Sequence, residues 1–346
     1  MNGFGLDHLP YGVVDGRCVV RYGDQMVVLS SVPGLPPVFD GPTLNPFIAL
    51  GRKAWEAVRE RLVEALSAGD AELLPLGEPQ LPIAVGDYVD FYSSLEHATN
   101  VGRLFRPGAE PLLPNWRALP IGYHGRAGSV VVSGTPIVRP CGLRPSFGAT
   151  EELDFELELA FITGSGGPGI AAADARAHVF GFVLLNDWSA RDIQRFEYRP
   201  LGPFLGKSFA TSIAGWITPL AALEPYLVPA VAQDPEPAAY LRVAGDWALD
   251  IALEVELNGE VITRVNARRL YWTFPQQLAH ATVNGATVRP GDLFASGTIS
   301  GFEPGTEGSL LESRRGFLAD GDTVVLRGRA GSIVLGEVRG TVSAAT

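Results

Sequence analysis

Cysteine is scarce: only Cys18 and Cys141 occur in 346 residues, and no CxxC pair is present. That excludes a disulfide framework and reads as two reduced thiols. Basic residues are outnumbered, 27 Lys and Arg against 38 Asp and Glu, for a formal net charge of -11. A chain so acidic lacks the basic surface that nucleic acid or an anionic membrane needs, so neither is expected as a partner. No apolar run approaches the length of a membrane span. The stretch Met1 to Pro10 has neither a basic n-region nor an apolar h-region, so no signal peptide is expected and the cytoplasm is the default. Tandem repeats and low-complexity tracts are absent. What the chain does have is 41 Gly, 27 Pro and 46% hydrophobic residues. It can bury a core, and its many turns favour a mostly β (α+β) fold over a helical bundle.

Short β-like runs open the chain, Cys18 to Tyr22 and Gln25 to Leu29. A helix follows: Asn45 is placed to cap it, Pro46 suits its first turn, and Trp55, Val58, Leu62 and Leu66 recur at helical spacing. Gly51 is a point where it can break, and Gly69 a stop. Leu76 to Pro82 reads as a linker, so we expect a domain of residues 1–82 and a second of 83–346 that carries the chemistry. The second is strand-rich: Ser129 to Ser133, Leu153 to Phe161, Phe182 to Leu185, Thr323 to Leu326 and Ser332 to Leu335. Ile251 to Val261 turns at Asn258-Gly259, a hairpin signal.

Leu153 to Phe161 alternates strictly, which puts Asp154, Glu156 and Glu158 on one face. Alone, such a face reads as a solvated acidic edge, as Glu254 and Glu256 do beside their hairpin. Asp90 and Asp187 change the reading, because Asp187 directly follows an apolar strand, where a carboxylate is costly unless compensated. Two like charges near 4 Å repel by about 4 kcal/mol at an effective dielectric of 20. Carboxylates that converge therefore call for a cation, and all-oxygen ligands select a hard one, Mg²⁺ or Ca²⁺. Spacing alone leaves open whether these residues meet.

Several contiguous stretches then become recognisable: Asp87-Tyr-Val-Asp-Phe-Tyr-Ser-Ser-Leu-Glu-His-Ala-Thr-Asn-Val-Gly102, Leu113-Pro-Asn-Trp116, Gly122-Tyr-His-Gly-Arg126, Asn186-Asp-Trp-Ser-Ala-Arg-Asp-Ile-Gln194, Pro200-Leu-Gly-Pro-Phe-Leu-Gly-Lys-Ser208 and Ala295-Ser-Gly-Thr-Ile-Ser-Gly301. In order and spacing they resemble the fumarylacetoacetase family over nearly the whole chain. The resemblance implies a small N-terminal SH3-like barrel, a large C-terminal β-rich domain, and a homodimer. It implies metal-dependent hydrolysis of the carbon–carbon bond of 4-fumarylacetoacetate to fumarate and acetoacetate, the last step of tyrosine and phenylalanine breakdown. It also implies roles for residues. Asp90, Glu156, Glu158 and Asp187 match the ligands of the divalent ion, and Lys207 and Thr211 match a second, Mg²⁺-type position. His97 matches the general base and Glu312 its orienting carboxylate. Arg191, Gln194 and Lys207 match the groups that stabilise the leaving carbanion. Tyr92, Arg106, Tyr123, Gln194, Tyr198 and Thr298 match substrate contacts.

Two departures are visible: Leu95-Glu96 stands where the family has Arg-Gln before the histidine, and the segment from Pro140 to Thr150 is shorter. Neither removes a matched residue. A 1,3-diketone with a carboxylate at each end suits this set, since its two central oxygens can chelate one ion, and Arg106 and the tyrosines can grip its ends. The alternatives are an acylpyruvate hydrolase, or a 2-oxo acid hydratase or decarboxylase, of the same superfamily. Such relatives match mainly the C-terminal domain, and the N-terminal domain and the His97 motif argue against them. A metal-stabilised binding protein without turnover would be expected to show a damaged site.

Overall fold

The computed structural model describes residues 3–346. Its spine is a sheet of thirteen strands. At its centre lies Val179–Asp187, apolar up to Leu185 and buried throughout, as expected of a strand covered on both sides. It pairs antiparallel with Leu157–Thr163, which pairs antiparallel with Leu293–Ala295. Tyr88–Phe91 adds in parallel, and Gly122–His124 closes that edge antiparallel. These strands deliver Asp90, Tyr123, Glu158 and Asp187 to one region.

A second sheet of five strands contains Ala252–Leu257, Glu260–Asn266, Thr323–Ala330 and Ile333–Ser343. The Asn258-Gly259 hairpin forms there, with both residues at positive φ and Glu254 and Glu256 half-buried in ion pairs with Arg264 and Arg327. The sheets pack closely where Gly340 faces the Trp188 indole; a Cβ at 340 would stand 2.3 Å from the ring.

The N-terminal strands Tyr11–Val14, Arg17–Tyr22, Gln25–Val28 and Leu74–Pro75 form an antiparallel meander. Pro79–Gln80 returns to pair with Tyr11–Val14. The expected SH3-like barrel is not closed among the described residues. Pro75 and Pro79 lack the N–H groups that a closing ladder needs, and Tyr11–Val14 instead joins Trp216–Pro219 of the large sheet. The expected linker thus contains a short strand. The chain as observed is a mixed α/β protein dominated by strands.

The expected helix is two pieces, Asn45–Ile48 and Arg52–Ala68, broken at Gly51 and stopped by Gly69 in the left-handed region. Asn45 does not cap it. Its side chain accepts from the Ala84 N–H and donates to the carbonyls of Ala84 and Pro290, tying the first eighty residues to the rest. No helix among the described residues is long and apolar enough to cross a membrane.

His8 is fully buried, 2.9 Å by Nδ1 from the Gly3 carbonyl and 2.9 Å by Nε2 from Thr218 Oγ1. Burial pushes its pKa down from 6.5 to about 4, despite the Gly3 carbonyl. The unfolded chain then takes up this proton first as pH falls, so stability is lost between about 6.5 and 4. The full loss is of order 3 kcal/mol. Chemical denaturation from pH 7 to 4 should show the His8→Asn variant losing less stability than wild type by about that amount. Equal losses would remove the histidine from the acid response.

Candidate active site

The four carboxylates of Asp90, Glu156, Glu158 and Asp187 offer oxygens that lie within 4.8 Å of one another, and all four residues are buried. Each arrives by a different local device. Asp90 lies in Tyr88–Phe91, two residues from Tyr88 and on the same face of the strand. Glu158 is the second residue of Leu157–Thr163, and Asp187 ends Val179–Asp187. Gly297, at φ +73, turns its N–H onto Glu158 Oε2 at 2.9 Å.

The acidic face of residues 153–161 is therefore interior, and it is not one continuous strand. Leu153–Asp154 pairs with Ser189–Ala190, and regular pairing resumes at Leu157. The break turns Asp154 away from the cluster toward Arg191, whose Nε lies 2.8 Å from Asp154 Oδ2.

Lys207 is buried, and its Nζ donates to Glu156 Oε2 and, at 2.5 Å, to Asp187 Oδ2. Arg191 Nη1 lies 2.8 Å from Glu156 Oε1. Burial raises the Glu156 carboxyl, but Lys207 and Arg191 outweigh it and hold the group well below the usual range. Asp90 and Glu158 behave oppositely. Burial, then the neighbouring carboxylates, drive both well above the ordinary value. Asp90 Oδ1 and Glu158 Oε1 have no hydrogen-bond partner among the described residues. Tyr123 Oη lies 3.0 Å from both Asp90 Oδ2 and Asp187 Oδ2, with a single proton to share. Orphaned buried carboxylate oxygens facing one another fit a hard divalent cation. Thr211 Oγ1 sits 3.2 Å from Asp187 Oδ1.

Beside the cluster lies a cavity of about 420 Å³. Asp90, Glu156, Arg191, Gln194, Lys207 and His97 line it, as do Tyr92, Arg106, Tyr123, Tyr198 and Thr298. Glu158, Asp187, Thr211 and Glu312 stand behind that wall. His97 is held by the helix Leu95–Phe105, capped where Ser94 Oγ accepts the His97 N–H at 3.2 Å. Its Nδ1 lies 2.7 Å from Glu312 Oε2. Glu312 has a fully buried side chain and also accepts from Asn100 at 3.0 Å and from Ser300 and Ser309 at 2.9 Å. Burial would raise its pKa; the His97 ring and these donors keep it below the ordinary value.

Gln194 Oε1 receives Arg191 Nη1 at 3.3 Å. Arg106 Nη2 donates to the Pro111 carbonyl and its Nε is unpartnered among the described residues, as is the buried Thr298 hydroxyl. Glu96, one of the family departures, turns away from the cavity to Arg269 at 3.4 Å.

Reading the sequence missed two groups. Tyr88 is fully buried, and its hydroxyl is raised by burial and by Asp187, Asp90 and Glu158; its two-residue spacing from Asp90 was the available signal. The apolar wall, including Val101, Phe105, Leu112 and Ile121, gave no local signal.

Comparison with known proteins adds an independent line. Residues 7–80 match the family model described as fumarylacetoacetase N-terminal, and residues 88–343 the model described as fumarylacetoacetate (FAA) hydrolase C-terminal. The chain is 47% identical to fumarylacetoacetase of Rattus norvegicus and 45% identical to that of Homo sapiens, in each case over 94% of this chain and 91% of the relative. It is 43% identical to fumarylacetoacetase of Arabidopsis thaliana over the same shares. Among solved structures, a fumarylacetoacetate hydrolase from Exiguobacterium antarcticum superposes with a TM-score of 0.65 at 20% identity, covering 97% of this chain and 99% of that one. A maleylpyruvate hydrolase from Sphingobium superposes with 0.63 at 20% identity, covering 97% and 100%; at such identities these two speak for the fold alone. Two family matches that together span nearly all of the described residues, and relatives this similar over nine-tenths of their own length, place the chain in the fumarylacetoacetate hydrolase family.

Proposed function

We propose that this chain is a fumarylacetoacetase, hydrolysing 4-fumarylacetoacetate to fumarate and acetoacetate with Mg²⁺ or Ca²⁺ at the carboxylate cluster. One observation carries the reading: a single cavity is lined by a carboxylate-backed histidine, two carboxylates of a buried acidic cluster, and the cations Arg191 and Lys207. The relatives named above supply the substrate.

The chemistry follows from the side chains. A divalent ion held by Asp90, Glu156, Glu158 and Asp187 would polarise the carbonyl under attack and hold the diketone in place. With Nδ1 of His97 committed to Glu312, its Nε2 keeps the free lone pair, and there it takes a proton from water. The oxygen adds to the fumaroyl carbonyl carbon. Collapse of the adduct breaks the carbon–carbon bond, and the electron pair leaves as an enolate, which takes up a proton to give acetoacetate as His97 returns to its neutral form. Arg191, Gln194 and Lys207 face that charge before it forms, which is where fixed donors act most strongly. Arg106, Tyr92, Tyr123, Tyr198 and Thr298 are the proposed grips on the substrate, which answers how a chain of net charge -11 holds a dianion.

The test is direct. Purified chain with added Mg²⁺ is incubated with fumarylacetoacetate and, separately, with acylpyruvates, and products are followed by chromatography. Fumarate and acetoacetate should appear in equal amounts. Intact fumarylacetoacetate beside cleaved acylpyruvate would move the assignment to the superfamily's other hydrolases.

A further inference from the structure

Asp154 takes no part in the chemistry above, yet it is fully buried, pairs with Arg191 and holds the backbone of the helix that carries Glu312. Its Oδ2 lies 2.8 Å from Nε and 2.8 Å from Nη2 of Arg191. Of these two contacts the Nε one is a hydrogen bond and the Nη2 one an ion contact without it, while Nη1 reaches Glu156 at 2.8 Å and Gln194 at 3.3 Å. On its other side Asp154 grips backbone: Oδ1 accepts the Leu310 N–H at 2.7 Å and the Phe155 N–H at 2.8 Å, and Oδ2 accepts the Leu311 N–H at 3.1 Å. Leu310 and Leu311 open the short helix Leu310–Ser313, which carries Glu312.

We propose that Asp154 is a positioning residue for catalysis, a single carboxylate that fixes Arg191 against the cavity and, through residues 310–311, sets Glu312 against His97. The arrangement has a physical logic. A buried guanidinium must be paired, and a carboxylate that accepts from it in fixed geometry aims its remaining nitrogen. A hydrogen-bonded side chain that buries the start of a four-residue helix fixes where the third residue of that helix points. Errors at either end are amplified, because displacements of about 1 Å in a catalytic constellation can cost about a hundredfold in rate. Asp154 neither lines the cavity nor belongs to the group of four carboxylates, so it acts through the groups it holds.

Asp154→Asn tests this. An asparagine keeps the volume and can still accept from the Leu310 N–H, but an amide group now meets donors on Arg191 or Leu311. The inference rests on the proposed hydrolysis, so wild type is assayed first. If wild type leaves fumarylacetoacetate intact, the functional reading fails, and the cycle is run on whichever acylpyruvate it cleaves. On a substrate that wild type does cleave, kcat of the variant should fall about a hundredfold while KM moves less than about threefold. The rise in melting temperature on adding Mg²⁺ should persist. A double-mutant cycle supplies the readout that general structural damage would not move. The loss caused by Asp154→Asn should be at least about threefold smaller on the Arg191→Lys and on the Glu312→Gln backgrounds, because each has already lost one arm. Equal losses on all three backgrounds would overturn the proposal, as would a kcat within about threefold of wild type. Should Asp154→Asn not fold, Asp154→Glu keeps the charge, lengthens the arm by one methylene and is read by the same cycle and the same criteria.

Discussion

His97→Ala should lower kcat by about 10²–10⁴ while KM stays near the wild-type value, the range expected for loss of a positioned general base. The fold should survive. The Ser94 cap accepts from the backbone N–H of residue 97, which alanine keeps. Glu312 loses its imidazole but retains the donors of Asn100, Ser300 and Ser309, so the buried carboxylate is not stranded. Glu312→Gln should cost about a hundredfold or more by another route: an amide in that place no longer enforces the tautomer that leaves Nε2 free. Steady-state kinetics with a thermal melt on the same preparations would decide it. Turnover in His97→Ala within a few-fold of wild type would take the base away from His97. A melt that collapses in the same variant would instead make this residue part of the framework.

The histidine, its carboxylate and the cluster were legible in the sequence for different reasons. The apolar run of Phe182 to Leu185 announces a buried strand, and a carboxylate directly after such a strand is conspicuous for its cost. The alternation of Glu156 and Glu158 located two more ligand candidates, because strand parity is a local property. The same rule sets Asp154 on that face, although it is expected outside the ligand set, and so gives its direction wrongly. It assumes an unbroken strand, whereas Leu153–Asp154 belongs to a separate pair with Ser189–Ala190, and that pairing partner lies outside any local window. Asn45 was misread for a related reason: an asparagine beside a helix start is a good cap in isolation, and only the fold brings Ala84 and Pro290 within its reach. The barrel was inferred from family likeness, and the sheet remains open where prolines face the seam. The link between His97 and Glu312, 215 positions apart, came from resemblance, and no periodicity could have supplied it.

The largest effect beyond the base concerns the cation. In wild type freed of metal by a chelator, Asp90 and Glu158 are carboxyls whose charged forms are disfavoured by burial and by the neighbouring carboxylates, and Lys207 is already engaged by Glu156 and Asp187. Such groups cost stability at neutral pH. Adding Mg²⁺ or Ca²⁺ at a hundred times its dissociation constant should therefore stabilise wild type by about 2.7 kcal/mol, and turnover should stop with chelator and return with the ion. The double variant Asp90→Asn, Glu158→Gln should behave in the opposite sense in the melt. Its metal-free form should melt above metal-free wild type, since the repulsion is gone, and added ion should no longer raise its melting temperature. Its turnover should be lower by about 10²–10⁴, the value of several kcal/mol of transition-state stabilisation. General damage to the fold would lower stability and activity together, so a variant that melts higher and turns over less isolates the role of the cluster. If its melting temperature still climbs with Mg²⁺ or Ca²⁺ as that of wild type does, these two carboxylates do not hold the ion. If chelator leaves wild-type turnover untouched, the four buried acids serve the framework and the hydrolysis rests on His97 and the cations beside it.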